Sequence, residues 1–227
     1  MRIEENIPRS STTPLKRVYT PVFDYPSKEG TGAAANSQIS NLKYSHIQMT
    51  RKLSMDELHR LSVQEFKEAE KLPLTVVLDN VRSQNNLGSV FRTADAFRVE
   101  RICLCGICST PPHRDIHKTA LGAEESVDWK YYEESMDCVR ELKELGYKVY
   151  AIEQVDDSIM LDSLPESMGD KIAVIFGNEV EGVQEELLPL CDGSIEIPQQ
   201  GTKHSLNVSC AAAIVLWELS KELKSKN

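Results

Sequence analysis

One segment near the end of the chain is so apolar that it restricts what the rest can fold into. Across residues 206–219 the clearly polar members are Asn207, Ser209 and Glu218. A helix that is apolar on nearly every side must be buried on nearly every side. We therefore predict an interior helix that Ser205 opens and that holds Asn207 in its first turn. An amide without partners there would cost about 1–3 kcal/mol, so we expect something to bind it.

The Ser-x-Asn pair also has a purely structural interpretation, in which Ser205 is an N-cap and Asn207 bonds to local backbone. Two further stretches favour a functional one, because each follows an apolar strand and is rich in glycine, amides and acids. The three stretches are residues 78–97, LDNVRSQNNLGSVFRTADAF, residues 176–183, FGNEVEGV, and residues 195–209, IEIPQQGTKHSLNVS.

Apolar runs alternate with helical patterns along the second two thirds of the chain. The predicted strands are residues 74–78, 101–105, 147–152, 172–176 and 194–197, and the predicted helices are 87–97, 135–145, 183–190 and 206–219. Such alternation, with continuous apolar strands, is typical of an α/β fold in which helices cover both faces of a parallel sheet. The first strand is not followed by Gly-x-Gly-x-x-Gly and the chain has no P-loop, so the patterns disfavour dinucleotide and nucleoside triphosphate binding.

The first part of the chain differs in composition. Residues 1–45 contain scattered prolines and runs of serine, threonine, glycine and alanine, which predicts a mobile tail because too little apolar surface is available to offset ordering. Ser54 and Glu57 form a capping-box pattern, so we predict a helical extension over residues 46–71. The main domain then spans residues 72–227.

Charge and hydropathy limit the possible partners. The 227-residue chain carries a formal net charge of −9, which argues at first sight against a nucleic-acid partner. Local charge can differ, and basic residues do occur in or near the polar stretches: Arg82, Arg92, Arg98, Arg101, His113, Arg114, His117, Lys118, Lys203 and His204. No run approaches the roughly eighteen apolar residues of a membrane span, so we expect a cytoplasmic protein that makes no contact with membranes.

Six cysteines raise the question of a metal or redox site. Cys103 and Cys105 alternate on a predicted strand, which makes them small core residues on one face. The spacing of His113 and His117 could complete a metal site, but the second ligand pair that zinc sites usually supply is missing. We therefore expect no metal.

Taken together and in this order, the three polar stretches resemble motifs 1, 2 and 3 of the SpoU/TrmH branch of the SPOUT RNA methyltransferases. The resemblance covers residues 72–219. It implies a sheet with a deep C-terminal trefoil knot, S-adenosylmethionine as cofactor, and a homodimer. It also implies methyl transfer to a ribose 2′-hydroxyl of RNA, with tRNA favoured over rRNA.

The same resemblance implies which residues form the site. The implied catalytic residues are Asn86, Arg92, Glu179, Ser205 and Asn207. The implied cofactor-binding residues, which act mostly through the main chain, are Ile152, Gly177, Ile197, Gly201 and Leu206. Because a guanidinium stays protonated at ordinary pH, we expect Arg92 to bind phosphate and stabilise a developing alkoxide.

Two alternatives remain open at this stage. The chain could be a catalytically silent RNA-binding protein of the same fold, or a SPOUT enzyme that methylates a base. The methyltransferase hypothesis requires residues near positions 92, 179 and 206 to meet around one methyl-donor pocket.

Overall fold

The computed structural model describes residues 51–54 and 56–225. The predicted tail, residues 1–45, and the first residues of the predicted extension lie outside this part of the chain. The chain forms two units, residues 1–52 and residues 53–227, and every element described below belongs to the second unit.

A single parallel sheet forms the centre of the described part of the chain. Its strands are β1 Leu72–Asp79, β2 Val99–Cys105, β3 Asp128–Tyr132, β4 Lys148–Ile152, β5 Ile159–Met160, β6 Ile172–Phe176 and β7 Gly193–Glu196. The strand order is β3-β2-β1-β6-β4-β7-β5, and every neighbouring pair is parallel. The loops that follow β1, β6, β4 and β7 therefore lie side by side at the carboxyl edge, where such sheets bind ligands.

Helices cover both faces of this sheet, as the sequence predicts. They are α1 Val63–Glu68, α2 Gln84–Phe97, α3 Arg114–Ala120, α4 Ala123–Ser126, α5 Ser135–Glu144 and α6 Val208–Ser225. One core lies under α2, α3, α4 and α6, and a second lies under α5 and a 3₁₀ segment, Glu185–Leu190. Strands covered on both faces must be apolar throughout, and this explains the continuous apolar runs of β1 and β6.

The predicted extension does not form one helix. Ser54 and Glu57 do make the bonds of a capping box, with the Ser54 amide donating to Glu57 Oε2 at 2.8 Å, but only a 3₁₀ turn follows. A second capping box, formed by Ser62 and Glu65, begins the separate helix α1. Phe66 is the one buried residue of α1. The two capping boxes begin two separate helical segments, whereas the apolar spacing of residues 53–69 predicts one continuous helix.

Two other predictions of secondary structure need correction. The apolar spacing predicts an α-helix over residues 183–190, but the structure has the shorter 3₁₀ segment, with Pro189 inside it. Proline lacks the amide that an α-helix needs at this position. Strand β3 is absent from the predicted elements because four of its five residues are exposed and show no apolar run.

The C-terminal helix differs from the interior helix that we predict from its composition. It begins at Val208, and Asn207 is its N-cap: the Asn207 side chain accepts a bond from the Ser209 amide at 2.9 Å, and its carbonyl accepts one from Ala211. One face is buried through Val208, Ala212, Val215, Leu216, Leu219 and Leu223. The opposite face leaves Cys210, Ile214 and Trp217 exposed. We call these three residues the α6 stripe.

Among the described helices, none is both long enough and apolar enough to cross a bilayer.

Candidate functional site

Glu179 joins the first two polar stretches. Its carboxylate accepts hydrogen bonds from the Arg82 amide at 3.1 Å, the Ser83 amide at 3.0 Å and the Asn86 side chain at 3.1 Å. The side chain of Arg82 also lies 3.8 Å from the same carboxylate. Glu179 follows β6 and the other residues follow β1, so this one acid links the loops that follow two neighbouring strands.

Asn207 adds the third stretch to this network. Its side-chain amide donates to Asn86 Oδ1 at 3.2 Å. Its own oxygen accepts from the Ser209 amide at 2.9 Å and from the Ser209 hydroxyl at 2.7 Å. The amide of Asn86 therefore bridges Glu179 and Asn207, and three stretches far apart in sequence meet in space. Asn207 is exposed and partnered, whereas the sequence predicts that it is buried.

The surroundings of Glu179 determine its charge. Partial burial opposes ionisation, but bonds donated by the amides of Arg82 and Ser83 and by the side chain of Asn86 outweigh it, so the pKa of Glu179 lies below its ordinary value. Glu179 is therefore a carboxylate at neutral pH. An anion held by fixed donors is a rigid anchor for Asn86.

The loop after β6 is folded tightly around a glycine. Asn178 and Gly182 exchange two backbone bonds, at 2.9 and 3.0 Å, and thereby close a small turn that contains Glu179. The Asn178 side chain donates to the Asn80 carbonyl at 2.8 Å. A Cβ added at Gly177 would lie 2.0 Å from the Gly182 carbonyl carbon, which leaves no room for any side chain.

Asp79, at the end of β1, is a buried acid to which the sequence patterns assign no role. It is fully buried, and it accepts bonds from the Ser135 hydroxyl at 2.6 Å and from the Gln184 amide at 3.0 Å. The Gln184 side chain donates to it as well, at 2.6 Å. This acid links the end of β1 to the start of α5 and to the loop after β6. The sequence feature that could have indicated its importance is an acid at the end of an otherwise apolar strand.

A cavity of about 770 Å³ opens beside the Glu179 network, at the carboxyl ends of β6, β4 and β7. Its apolar wall contains Ile152, Phe176, Ile195, Ile197 and Leu206. Five glutamates also line it: Glu153, Glu179, Glu181, Glu185 and Glu196. Within this lining, all of it from the described residues, His204 is the sole basic side chain. The cavity thus suits a small ligand that carries both an apolar ring and positive charge.

Most of the predicted cofactor-binding residues line this cavity. Ile152, Gly177, Ile197 and Leu206 all do. Gly201 lies outside the lining, and a Cβ added there would meet nothing within 4 Å, so the structure gives no sign of a close backbone approach at Gly201.

The remaining predicted catalytic residues, Ser205 and Arg92, differ from one another. Ser205 is exposed and lines the cavity. Arg92 is exposed on α2, does not line the cavity, and makes no hydrogen bond or ion pair with the described residues. It lies six residues beyond Asn86, about 9 Å further along the helix axis and on another side of it. Within a single chain, Arg92 therefore does not join the network.

Four of the six cysteines, Cys103, Cys105, Cys108 and Cys138, are buried core residues. Cys103 and Cys105 are fully buried beside Cys138, in the core under α5, as the strand pattern predicts. In the described residues, no three histidine, cysteine or acidic side chains are grouped so that they could hold a metal ion.

The fold and this site together define an α/β protein with a cavity of small-molecule size at the joined carboxyl-end loops of a parallel sheet. Comparison with known proteins identifies the family. Residues 73–217 match the model of the SpoU rRNA Methylase family. The chain is 34% identical over 166 residues to the tRNA (guanosine(18)-2′-O)-methyltransferase of Thermus thermophilus, and the match covers 73% of this chain and 84% of that protein. It is 32% identical over 155 residues to the 23S rRNA (guanosine-2′-O-)-methyltransferase RlmB of Neisseria meningitidis serogroup B, covering 68% and 61%.

Solved structures agree with this assignment. The AdoMet-bound rRNA methyltransferase of Sinorhizobium meliloti superimposes with a TM-score of 0.62 at 26% identity, covering 70% of this chain and 60% of that one. The A. aeolicus TrmH/SpoU tRNA modifying enzyme shares the fold, with a TM-score of 0.63 at 24% identity, covering 72% and 83%. The chain belongs to the SpoU family of RNA methyltransferases, and the family that the sequence motifs predict is confirmed.

Proposed function

We propose that the chain transfers a methyl group from S-adenosylmethionine to a ribose 2′-hydroxyl of RNA. The observation that carries this proposal is the Asn86–Glu179–Asn207 network, two members of which, Glu179 and Asn207, line an acid-lined cavity at the carboxyl ends of the strands. It brings together residues of all three motifs.

The cavity fits this cofactor. Its volume of about 770 Å³ lies within the ordinary range for small-molecule sites. The apolar wall suits an adenine ring, and the five glutamates complement a sulfonium and an ammonium group. The residues that would hold the cofactor are Ile152, Gly177, Ile197 and Leu206. When bound, S-adenosylmethionine supplies an activated methyl group.

The chain's own residues position the hydroxyl that attacks. The 2′-oxygen bonds to the methyl carbon as the bond between that carbon and sulfur breaks, and the hydroxyl proton passes to phosphate or water. Most of the rate enhancement comes from holding the hydroxyl in line. Asn207, on the cavity lining, presents its amide for this purpose; Asn86 holds Asn207 through a hydrogen bond, and Glu179 fixes the orientation of Asn86. Ser205, exposed on the lining, adds a hydroxyl.

The arginine comes from a second copy of the chain. An acidic cavity repels RNA phosphate, so a cation must be brought to it, and Arg92 is exposed and unpaired among the described residues. The α6 stripe supplies the surface for dimerisation, because Ile214 is 42% exposed and Trp217 is 56% exposed on a helix that packs against α2. In this arrangement the partner subunit's Arg92 contacts the phosphate beside the methylated ribose and stabilises the developing alkoxide.

Transfer RNA is the preferred substrate in this proposal. Support comes from the coverage of the relatives: the tRNA-modifying relative is matched over 84% of its length, and the 23S rRNA-modifying relative over 61%.

A C-terminal trefoil knot is part of the same proposal. The segment before α6 supports it, since this segment lines the cavity and the His204 carbonyl accepts a bond from Gln154 in the loop after β4 at 2.8 Å.

Replacing Arg92 by alanine tests the function. We expect Arg92→Ala to lose methyl transfer to tRNA while the affinity for S-adenosylmethionine, measured by calorimetric titration, stays unchanged. Arg140→Ala is the matched control, because Arg140 is also exposed but pairs with Asp137 on α5. Digestion of the wild-type product to nucleosides and mass spectrometry would identify a 2′-O-methylribose. A base-methylated nucleoside, or full activity in Arg92→Ala, would contradict the proposal.

A further inference from the structure

A second cavity, of about 490 Å³, lies beside the edge strand β3 and is not part of the site described above. Its lining includes Pro112, Arg114, His117, Glu124, Glu125 and Trp129. The residues come from the loop after β2, from α3 and α4, and from β3. His113 and His117, whose spacing raises the possibility of a metal site, both belong to this lining.

Trp129 gives this cavity an aromatic wall. It is the second residue of β3, pairs with Ile102 of β2, and is 37% exposed at the outer edge of the sheet. Tyr131, two residues further on, points to the same side and is 44% exposed. Exposed aromatic rings on an edge strand are suited to stacking against an unpaired base, which contributes about 1–3 kcal/mol per base.

The polar groups around Trp129 fall into two kinds. Arg114 is exposed and makes no hydrogen bond or ion pair with the described residues, so its guanidinium is free to meet a phosphate. Glu125 is exposed and likewise unpaired within the described chain. Glu124 is held in place by His117, whose Nδ1 lies 2.5 Å from a Glu124 oxygen. A cation and two carboxylates therefore share one aromatic-walled cavity.

This combination discriminates among nucleobases. A carboxylate accepts two parallel hydrogen bonds from the N1–H and the amino group of guanine, whereas the corresponding edge of adenine presents an acceptor at N1. Single-stranded RNA is recognised through such unpaired edges together with stacking. Of adenine and guanine, only guanine can therefore both stack on the Trp129 ring and donate two parallel hydrogen bonds to a carboxylate.

We propose that the β3 cavity binds an unpaired guanine of the RNA substrate, stacked on Trp129, with Glu125 on its base edge and Arg114 on its phosphate. This inference rests on the proposed function, since it presumes an RNA substrate. Strands β3 and β6 are three positions apart in the sheet, which separates the two cavities by at least about 14 Å. The bound base is therefore a different nucleotide from the methylated one, and it sets which RNA is chosen.

Fluorine NMR tests the proposal without any need for methyl transfer. The chain has two tryptophans, so protein labelled with 5-fluorotryptophan gives two signals, and Trp129→Phe assigns them. We expect guanosine 5′-monophosphate to shift the Trp129 signal and to leave Trp217 as an unmoved internal reference. Adenosine 5′-monophosphate should bind about tenfold more weakly, and inorganic phosphate alone should not shift the signal.

Glu125→Gln is the decisive variant, because an exposed side chain can be changed without unfolding the protein. It should lower the affinity for guanosine monophosphate about tenfold and raise the KM for RNA with kcat unchanged. Glu144→Gln, an exposed acid on α5, is the matched control. The proposal is overturned if neither nucleotide shifts Trp129, if both bind equally, if phosphate alone reproduces the shift, or if Glu125→Gln has no effect. Methyl transfer by the wild-type enzyme is assayed separately, so failure here leaves the proposed function intact.

Discussion

At the level of single residues, the site depends on one anion that is surrounded by donors. Glu179 accepts bonds from two backbone amides and from Asn86. A glutamine at this position keeps the size but has one acceptor oxygen, and its NH₂ group would face a backbone amide. The charge therefore matters for structure as well as for the position of Asn86.

We expect Glu179→Gln to destabilise the protein by about 1–3 kcal/mol, because a partly buried donor loses its acceptor. Displacement of Asn86 should lower the rate of methyl transfer on the order of a hundredfold. Urea unfolding and single-turnover assays measure the two effects. Glu186→Gln is the control, since Glu186 is exposed and lies outside the cavity lining. Equal behaviour of the two variants would show that Glu179 is an ordinary surface acid.

The depressed pKa of Glu179 makes a prediction about acid stability. Burial raises the pKa of Glu179, but the hydrogen bonds from Arg82, Ser83 and Asn86 lower it further and hold the folded-state pKa below the unfolded value of about 4.3. Its contribution is thus fully present above that value and is lost as pH falls through the folded pKa. The difference in the free energy of unfolding between wild type and Glu179→Gln should therefore shrink below about pH 4. Urea unfolding across a pH series measures it, and a gap that stays constant would contradict the assignment.

At the level of elements, the loop after β6 is the most constrained part of the site. A Cβ on Gly177 would lie 2.0 Å from Gly182 and 2.1 Å from the Val183 nitrogen, both of them backbone. The turn that carries Glu179 can close only because position 177 has no side chain.

Gly177→Ala should open this turn, reduce thermal stability and weaken binding of S-adenosylmethionine at least about tenfold, because the loop also lines the cavity. Differential scanning fluorimetry and calorimetric titration measure the two effects. Gly193→Ala in β7 is the matched control: its added Cβ would meet its nearest neighbour, Tyr150, at an ordinary 3.5 Å. A stable Gly177→Ala that binds the cofactor normally would mean that the loop is less tightly packed than the structure indicates.

The elements also differ in how far they can be predicted from sequence. Strands β1 and β6 are evident because both of their faces are buried, whereas β3 lies at an edge and has no apolar pattern to detect. The predicted start of α6 lies two residues early because apolar content cannot distinguish an N-cap from a first turn. Asn86, Glu179 and Asn207 are found through motif resemblance, and Asp79 is missed because its partner Gln184 is distant in sequence.

At the scale of the whole molecule, the single chain lacks one part of its proposed site. Arg92 is exposed on α2 and away from the cavity, and the neighbouring α6 stripe is apolar and uncovered in the chain described. Both features are accounted for if two chains associate and each supplies the other's arginine.

Mixing two inactive variants tests this arrangement. Arg92→Ala and Asn86→Ala should each be inactive alone, but dimers formed by refolding them together should regain about a quarter of wild-type activity, because about half are mixed and each mixed dimer has one complete site. Sedimentation analysis confirms the dimer. If Arg92 acts within its own chain, no mixed dimer holds a complete site, and the mixture stays inactive.

The acidic lining of the main cavity also has a consequence for turnover. Donation of the methyl group turns a sulfonium cation into a neutral thioether, so the five glutamates attract the spent cofactor less strongly than the fresh one. If S-adenosylmethionine binds in this cavity, as proposed, the acidic lining favours release of the demethylated by-product, and that by-product should compete with the donor less strongly than its similar structure suggests.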